Sequence, residues 1–164
     1  MGDDAAVIVL YEHASDSLIL TERNHNLRSH PGEICFPGGR RDDSDKTLYD
    51  TALRELHEEL DIQSERLHFS KKLQIQRTLT GFIIHPWLAS IDTVEPYKLN
   101  EAEVVALLRL PMPQVRNLAN YKHIMVERGG FKIRTIQFIN ADYKVWGATA
   151  HIMMQLGGEQ VVPG

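Results

Sequence analysis

The chain has 164 residues, enough for one domain with a buried core of its own. Its 18 Lys and Arg against 22 Asp and Glu give a net charge of −4, so the basic excess that general nucleic-acid binding requires is absent. No apolar run approaches the ~20 residues of a membrane span, and a lone Cys35 makes no internal disulfide.

Residues Ala5 to Tyr11 form a nearly continuous apolar run and predict a buried strand. Asp16-Ser17 predicts a turn, and Leu18 to Thr21 a second strand. The polar stretch Glu22 to Gly32 predicts a loop carrying Arg23, Arg28 and His30. Glu33 to Phe36 predicts a short strand, stopped by Pro37-Gly38-Gly39. Thr47 to Leu60 contains no Pro or Gly, and Tyr49, Ala52, Leu53, Leu56 and Leu60 fall on one stripe. That spacing predicts a helix, with Asp45 or Ser44 as its cap.

Beyond Asp61, strands are predicted at Leu67 to Thr78, Phe82 to Ile91 and Val104 to Leu110, with a short helix after Pro111-Met112-Pro113. Tyr121 to Glu127 and Lys132 to Ile139 flank Arg128-Gly129-Gly130, the pattern of a hairpin. Trp146 to Leu156 predicts a final helix with Trp146 as a core anchor, and 157–164 a flexible tail. The sum is one α+β domain with a mixed sheet and helices on its faces. The acidic start, Met1-Gly2-Asp3-Asp4, lacks the basic character of a leader peptide, so the expected location is cytoplasmic.

The informative segment is Gly38 to Ile62. Glu55, Glu58 and Glu59 stand at i, i+3 and i+4, within about 100° of arc on a helix. Like charges so placed repel and do not stabilise a helix. They suit a cage of hard oxygen ligands for Mg²⁺ or Mn²⁺. Glu59 borders the apolar stripe, so partial burial is expected. Asp42 and Asp45 lie one loop upstream, where they are expected to face the same site.

This segment resembles the Nudix box, matching it at Gly39, Arg54, Glu55, Leu56, Glu58, Glu59 and Ile62. It departs by Asp45 in place of Glu, by eight residues between Asp45 and Arg54 where the pattern has seven, and by Asp61 in place of Gly. Asp tolerates the left-handed backbone of a helix end. Upstream, Leu18-Ile19-Leu20-Thr21-Glu22-Arg23, Leu27 to Glu33 and Phe36-Pro37-Gly38-Gly39 resemble the signature of the coenzyme A pyrophosphatase branch. Thr51-Ala52-Leu53, Leu110-Pro111 and Trp146 to Ala150 fit the same branch, whereas Asn24 stands where it usually has Ser.

The resemblance implies a single Nudix domain over 1–164, an α/β/α sandwich with a mixed sheet and the loop-helix. It implies metal-dependent cleavage of the coenzyme A diphosphate to phosphopantetheine and adenosine 3′,5′-bisphosphate. Glu55 and Glu59 become the main metal ligands, with Glu58 a third ligand or a base. Arg54 becomes a clamp, and the Gly38 or Gly39 carbonyl completes the shell. Glu103, outside the box, is the other candidate base. Arg23, Arg28 and His30 are candidate contacts for an anionic small-molecule substrate. Alternatives are another nucleotide substrate, such as a dinucleotide, NADH or a nucleotide sugar, and a non-catalytic nucleotide-binding module. Neither nucleic acid nor membrane is an expected partner, and the oligomeric state is open. His57 is expected on the surface, and Cys35 as a buried strand residue without a base beside it.

Overall fold

The computed structural model describes residues 3–140 and 142–157. The central strand β1 (Asp4–Glu12) carries the first apolar run. Successive side chains of a strand point to opposite faces, and here both faces are covered. Val7, Val9 and Tyr11 enter one core cluster; Ala6, Ile8 and Leu10 enter another. This explains why the run reads as continuous rather than alternating.

β1 pairs in parallel with β7 (Ile83–Ile91) along nine register positions from Asp4↔Ile83 to Glu12↔Ile91. Its other edge is shared. Leu10 to Glu12 pair antiparallel with β2 (Ser17–Arg23), whereas Ala5 to Val7 pair with β4 (Gly38–Arg40). The two strands therefore part beyond the Leu10↔Ile19 pair. β3 (Ile34–Cys35) pairs with the departing end of β2, so residues 34–40 fill the split. The two glycines sit at this split, which places the site described below.

β5 (His68–Lys72) and β6 (Gln76–Arg77) pair with β7, and β8 (Val104–Pro111) pairs with β2. Among the described residues this sheet has eight strands. A second sheet of three holds β9 (Tyr121–Arg128), β10 (Phe131–Ile139) and β11 (Lys144–Trp146). The expected hairpin turns at Gly129 and Gly130, both with positive φ.

Helix α1 (Leu48–Leu60) packs Ala52, Leu56 and Leu60 on one face of the large sheet. Helices α2 (Met112–Arg116) and α3 (Ala148–Met154) pack Met112, Val115, Ile152 and Met153 on the other side, with Ile136 and Phe138 of the small sheet. The expected three-layer α+β architecture with a mixed sheet is present.

Several details differ from the sequence expectations. Thr47 caps α1, accepting a hydrogen bond from the Asp50 amide at 3.1 Å. Asp45 is unavailable for that task because its carboxylate is taken by Arg54 and Thr51. The strand expected over 67–78 divides into β5 and β6, with Leu73 between them bonded to the Pro86 carbonyl. Trp146 lies on β11 ahead of the last helix, and Val145 takes the core position instead. The expected tail lies, from residue 158 on, outside the described residues. Among the described residues no helix is long and apolar enough to cross a membrane.

Candidate active site

The glycine turn and α1 meet at the split in the sheet. A Cβ on Gly38 would overlap the Ala6 carbonyl oxygen, and one on Gly39 would overlap the Glu55 carboxylate. Gly38 therefore needs glycine for strand pairing, whereas a side chain at Gly39 would displace the Glu55 carboxylate from its place. The Gly38 amide donates to Glu59 Oε1 at 3.0 Å, tying the turn to the helix.

Glu59 is 4 % exposed. Burial pushes its carboxyl up to about 8, and the neighbouring Glu55 charge adds to that. Burial also raises Glu55 to about 8, against the pull of Arg54 and with the push of Glu58 and Glu103. Two carboxylates are thus held in a half-dry site without a full cationic partner. Such an arrangement is costly to the fold and calls for a positive charge from elsewhere.

Arg54 does a different job. Its Nε and Nη2 grip the two Asp45 oxygens at 2.9 and 3.0 Å, and Nη2 also donates to the Arg40 carbonyl at 3.2 Å. Asp45 further accepts from Thr51 Oγ1 at 2.8 Å and from the Asp42 amide at 2.9 Å. The Arg54 guanidinium holds the Asp45 carboxyl well below the usual carboxylate range. Arg54 Nη1 bonds both Glu58 oxygens at 3.2 Å. The guanidinium therefore fastens the loop 40–45 to α1.

Asp61 ends α1 in the left-handed conformation, φ 55°, its amide bonded to the His57 carbonyl at 2.9 Å. Beyond that end, the amides of Lys98 and Asn100 donate to the Leu60 and Glu59 carbonyls, each at 2.9 Å. These bonds satisfy helix-end acceptors and anchor the loop that carries Glu103.

A cleft of about 470 Å³ opens here, lined by Glu55, Glu59, Glu103, Gly38 and Gly39 together with Arg23 and His30. Arg28 lines a side pocket of about 400 Å³. Arg23 spends Nε and Nη2 on the Ser29 carbonyl, 3.2 and 3.0 Å away, and so shapes the loop it flanks. His30 pairs with Glu33. Glu58, with its side chain 44 % exposed, and Arg54 stand outside the cleft lining. Asp42 and Asp45 do not face the site as expected: Asp42 folds back on the Ser44 amide, and Asp45 on Arg54 and Thr51. Cys35 lines the cleft, but burial pushes its thiol up to about 12, so no ready thiolate forms.

The structure adds lining residues that the sequence reading passed over: Arg40 stacked on the Phe82 ring at 4.4 Å, and Arg128 over the Trp146 ring at 5.6 Å. Trp146 is thus a wall of the cleft rather than a core anchor. No sequence signal marks Arg128, because only the folded hairpin brings it to Trp146.

Among the described residues no three acidic, His or Cys side chains converge into a closed metal cage. The donor set is instead an open one, the buried Glu59 and the part-buried Glu55 beside a glycine turn. That fits Mg²⁺ or Mn²⁺, which keep waters and take substrate phosphate oxygens as ligands.

The NUDIX domain model matches residues 2–124. The chain belongs to the Nudix family. A relative named uncharacterized Nudix hydrolase NudL, from Enterobacter sp. (strain 638), is 34 % identical over 152 residues, which cover 93 % of this chain and 79 % of that protein. The protein of the same name from Shigella boydii serotype 4 is 33 % identical with the same coverage. Among solved structures, the C. elegans Ap4A hydrolase binary complex aligns with a TM-score of 0.57 at 19 % identity, covering 66 % of this chain and 80 % of that one. The NUDIX domain of Shewanella oneidensis NrtR complexed with ADP ribose aligns at 0.55 and 19 % identity, covering 70 % and 76 %. These structures share the fold. This Nudix protein is a pyrophosphohydrolase acting on a nucleoside diphosphate derivative.

Proposed function

We propose that this Nudix hydrolase, a single domain over residues 1–164, cleaves the diphosphate of coenzyme A or its derivatives to phosphopantetheine and adenosine 3′,5′-bisphosphate. The observation that carries the reading is one cleft. In it the pair Glu55 and Glu59 lies beside the loop of Arg23, Arg28 and His30, whose sequence resembles the coenzyme A signature.

Glu55 and Glu59 would hold the cation, Glu55 from the Gly39 cradle and Glu59 fixed by the Gly38 amide. Mg²⁺ or Mn²⁺ bound there would neutralise the diphosphate and lower the pKa of bound water. Of the two candidate bases we favour Glu103, because it lines the cleft while Glu58 is bound to Arg54 outside it. Glu103 takes the proton of the attacking water. That water forms a new P–O bond at one phosphorus, the anhydride P–O bond breaks, and two phosphate-bearing products leave. Arg54 is a positioning residue, acting through Asp45 and Glu58.

The test is turnover of a panel in H₂¹⁸O with Mg²⁺ and Mn²⁺, products read by mass spectrometry. Coenzyme A should be the best substrate, with one label in one product. Faster turnover of NADH, ADP-ribose or a nucleotide sugar would overturn the substrate assignment.

A further inference from the structure

A side pocket adjoins the main cleft and differs from it in its acids. The cleft is lined by Glu55, Glu59 and Glu103 as well as by Arg23, Arg40 and Arg128; the side pocket shares Arg128, Ser29 and Thr80 with it, adds Arg28, and contains none of those three acids. Its one carboxylate, Glu33, is paired with His30. Among the described residues neither Arg28 nor Arg128 has an ion-pair partner. Arg128 comes from the far hairpin, just before Gly129 and Gly130, and belongs to no part of the Nudix signature. Its guanidinium carbon lies 5.6 Å from the centroid of the Trp146 ring, within cation–π reach, a contact that uses none of its N–H donors in a hydrogen bond. An arginine kept in place without a carboxylate is suited to an oxyanion such as a phosphate, two of whose oxygens its planar fork of N–H groups can meet.

We infer that Arg128, together with Arg28 in the lining of the side pocket, forms a second anion subsite that takes a phosphomonoester group of the substrate, apart from the diphosphate being cleaved. The inference takes the identity of that group, the phosphate on the ribose 3′ oxygen, from the coenzyme A reading. Arg128 then sets specificity: it favours nucleotides with a third phosphate and has no part in bond cleavage. The charges support this, since both arginines line the side pocket and none of Glu55, Glu59 and Glu103 does.

Calorimetric binding of adenosine 3′,5′-bisphosphate and of AMP to the full chain tests the subsite without turnover. The wild type should bind the bisphosphate more tightly than AMP by about tenfold to a hundredfold, the range of charge-assisted hydrogen bonds. R128Q should bring that ratio down by about tenfold. F131A, at the exposed tip of the same hairpin, should leave the ratio unchanged and so control for disturbance of the hairpin. A wild-type ratio near one, or a ratio untouched by R128Q, would overturn the inference. A wild type that keeps the ratio but does not turn over coenzyme A would overturn the substrate reading and leave the subsite standing.

Discussion

Glu12 and Glu59 are both buried carboxylates, 1 % and 4 % exposed, near opposite ends of the central strand. Their surroundings are opposite. Glu12 accepts from Arg109 Nε at 2.7 Å, from the Val94 amide at 2.7 Å and from the Ser15 hydroxyl. Burial pushes its carboxyl up, but the bonds from Arg109, Ser15 and Val94 outweigh it and hold the group at about 2. Glu59 has one amide donor, a like charge beside it, and a carboxyl raised to about 8. Burial alone therefore does not mark a functional acid. What marks it is a lack of partners that the fold elsewhere supplies in full.

Substitutions should separate the two ends. E59Q should lower kcat with Mg²⁺ by about 10²–10³, as loss of a comparable electrostatic group does, while the metal-free protein melts no lower than the wild type. Full activity in E59Q would remove Glu59 from the site. R109M should do the reverse. It leaves the Glu12 charge buried and unpaired, a loss of about 3 kcal/mol by chemical denaturation, the low end for a broken buried pair because Arg109 is partly solvated. Its kcat per folded molecule should stay near that of the wild type. A large fall in kcat without a fall in stability would show that the Glu12 end also serves the reaction.

The smallest effect is on the pH dependence of melting without metal. The Glu55 and Glu59 carboxyls are raised in the folded state, so their contribution is full below about 4.5 and is lost as pH rises through about 8. Glu12 is lowered, so its contribution is full above about 4.5 and is lost as pH falls through about 2. Between pH 5 and 8 the Glu55 and Glu59 part should therefore lower the melting temperature of the metal-free wild type as pH rises, and E59Q should flatten that slope. An equal slope in E59Q would place its origin elsewhere.

Much of this was legible in the chain. The stripe Ala52, Leu56 and Leu60 is a matter of local periodicity, and so is the placing of Glu55 and Glu59 beside it. The errors arose where direction or long-range pairing decides. Asp45 stands at an acidic position of the box, yet its side chain points to Arg54. Glu12 meets Arg109 across 97 residues, and the only hint was an arginine inside the apolar strand Val104–Pro111. β4 and β11 have three residues each, too few for any period to show.

The most direct test is calorimetric titration of the metal-free protein with Mg²⁺ at pH 7, in two buffers of different ionisation heat. Carboxyls raised to about 8 hold protons at that pH, and a cation bound between Glu55 and Glu59 must displace them. The wild type should release protons on binding, and E59Q should release fewer and bind more weakly. Binding without proton release, or with undiminished release in E59Q, would show that the cation goes elsewhere.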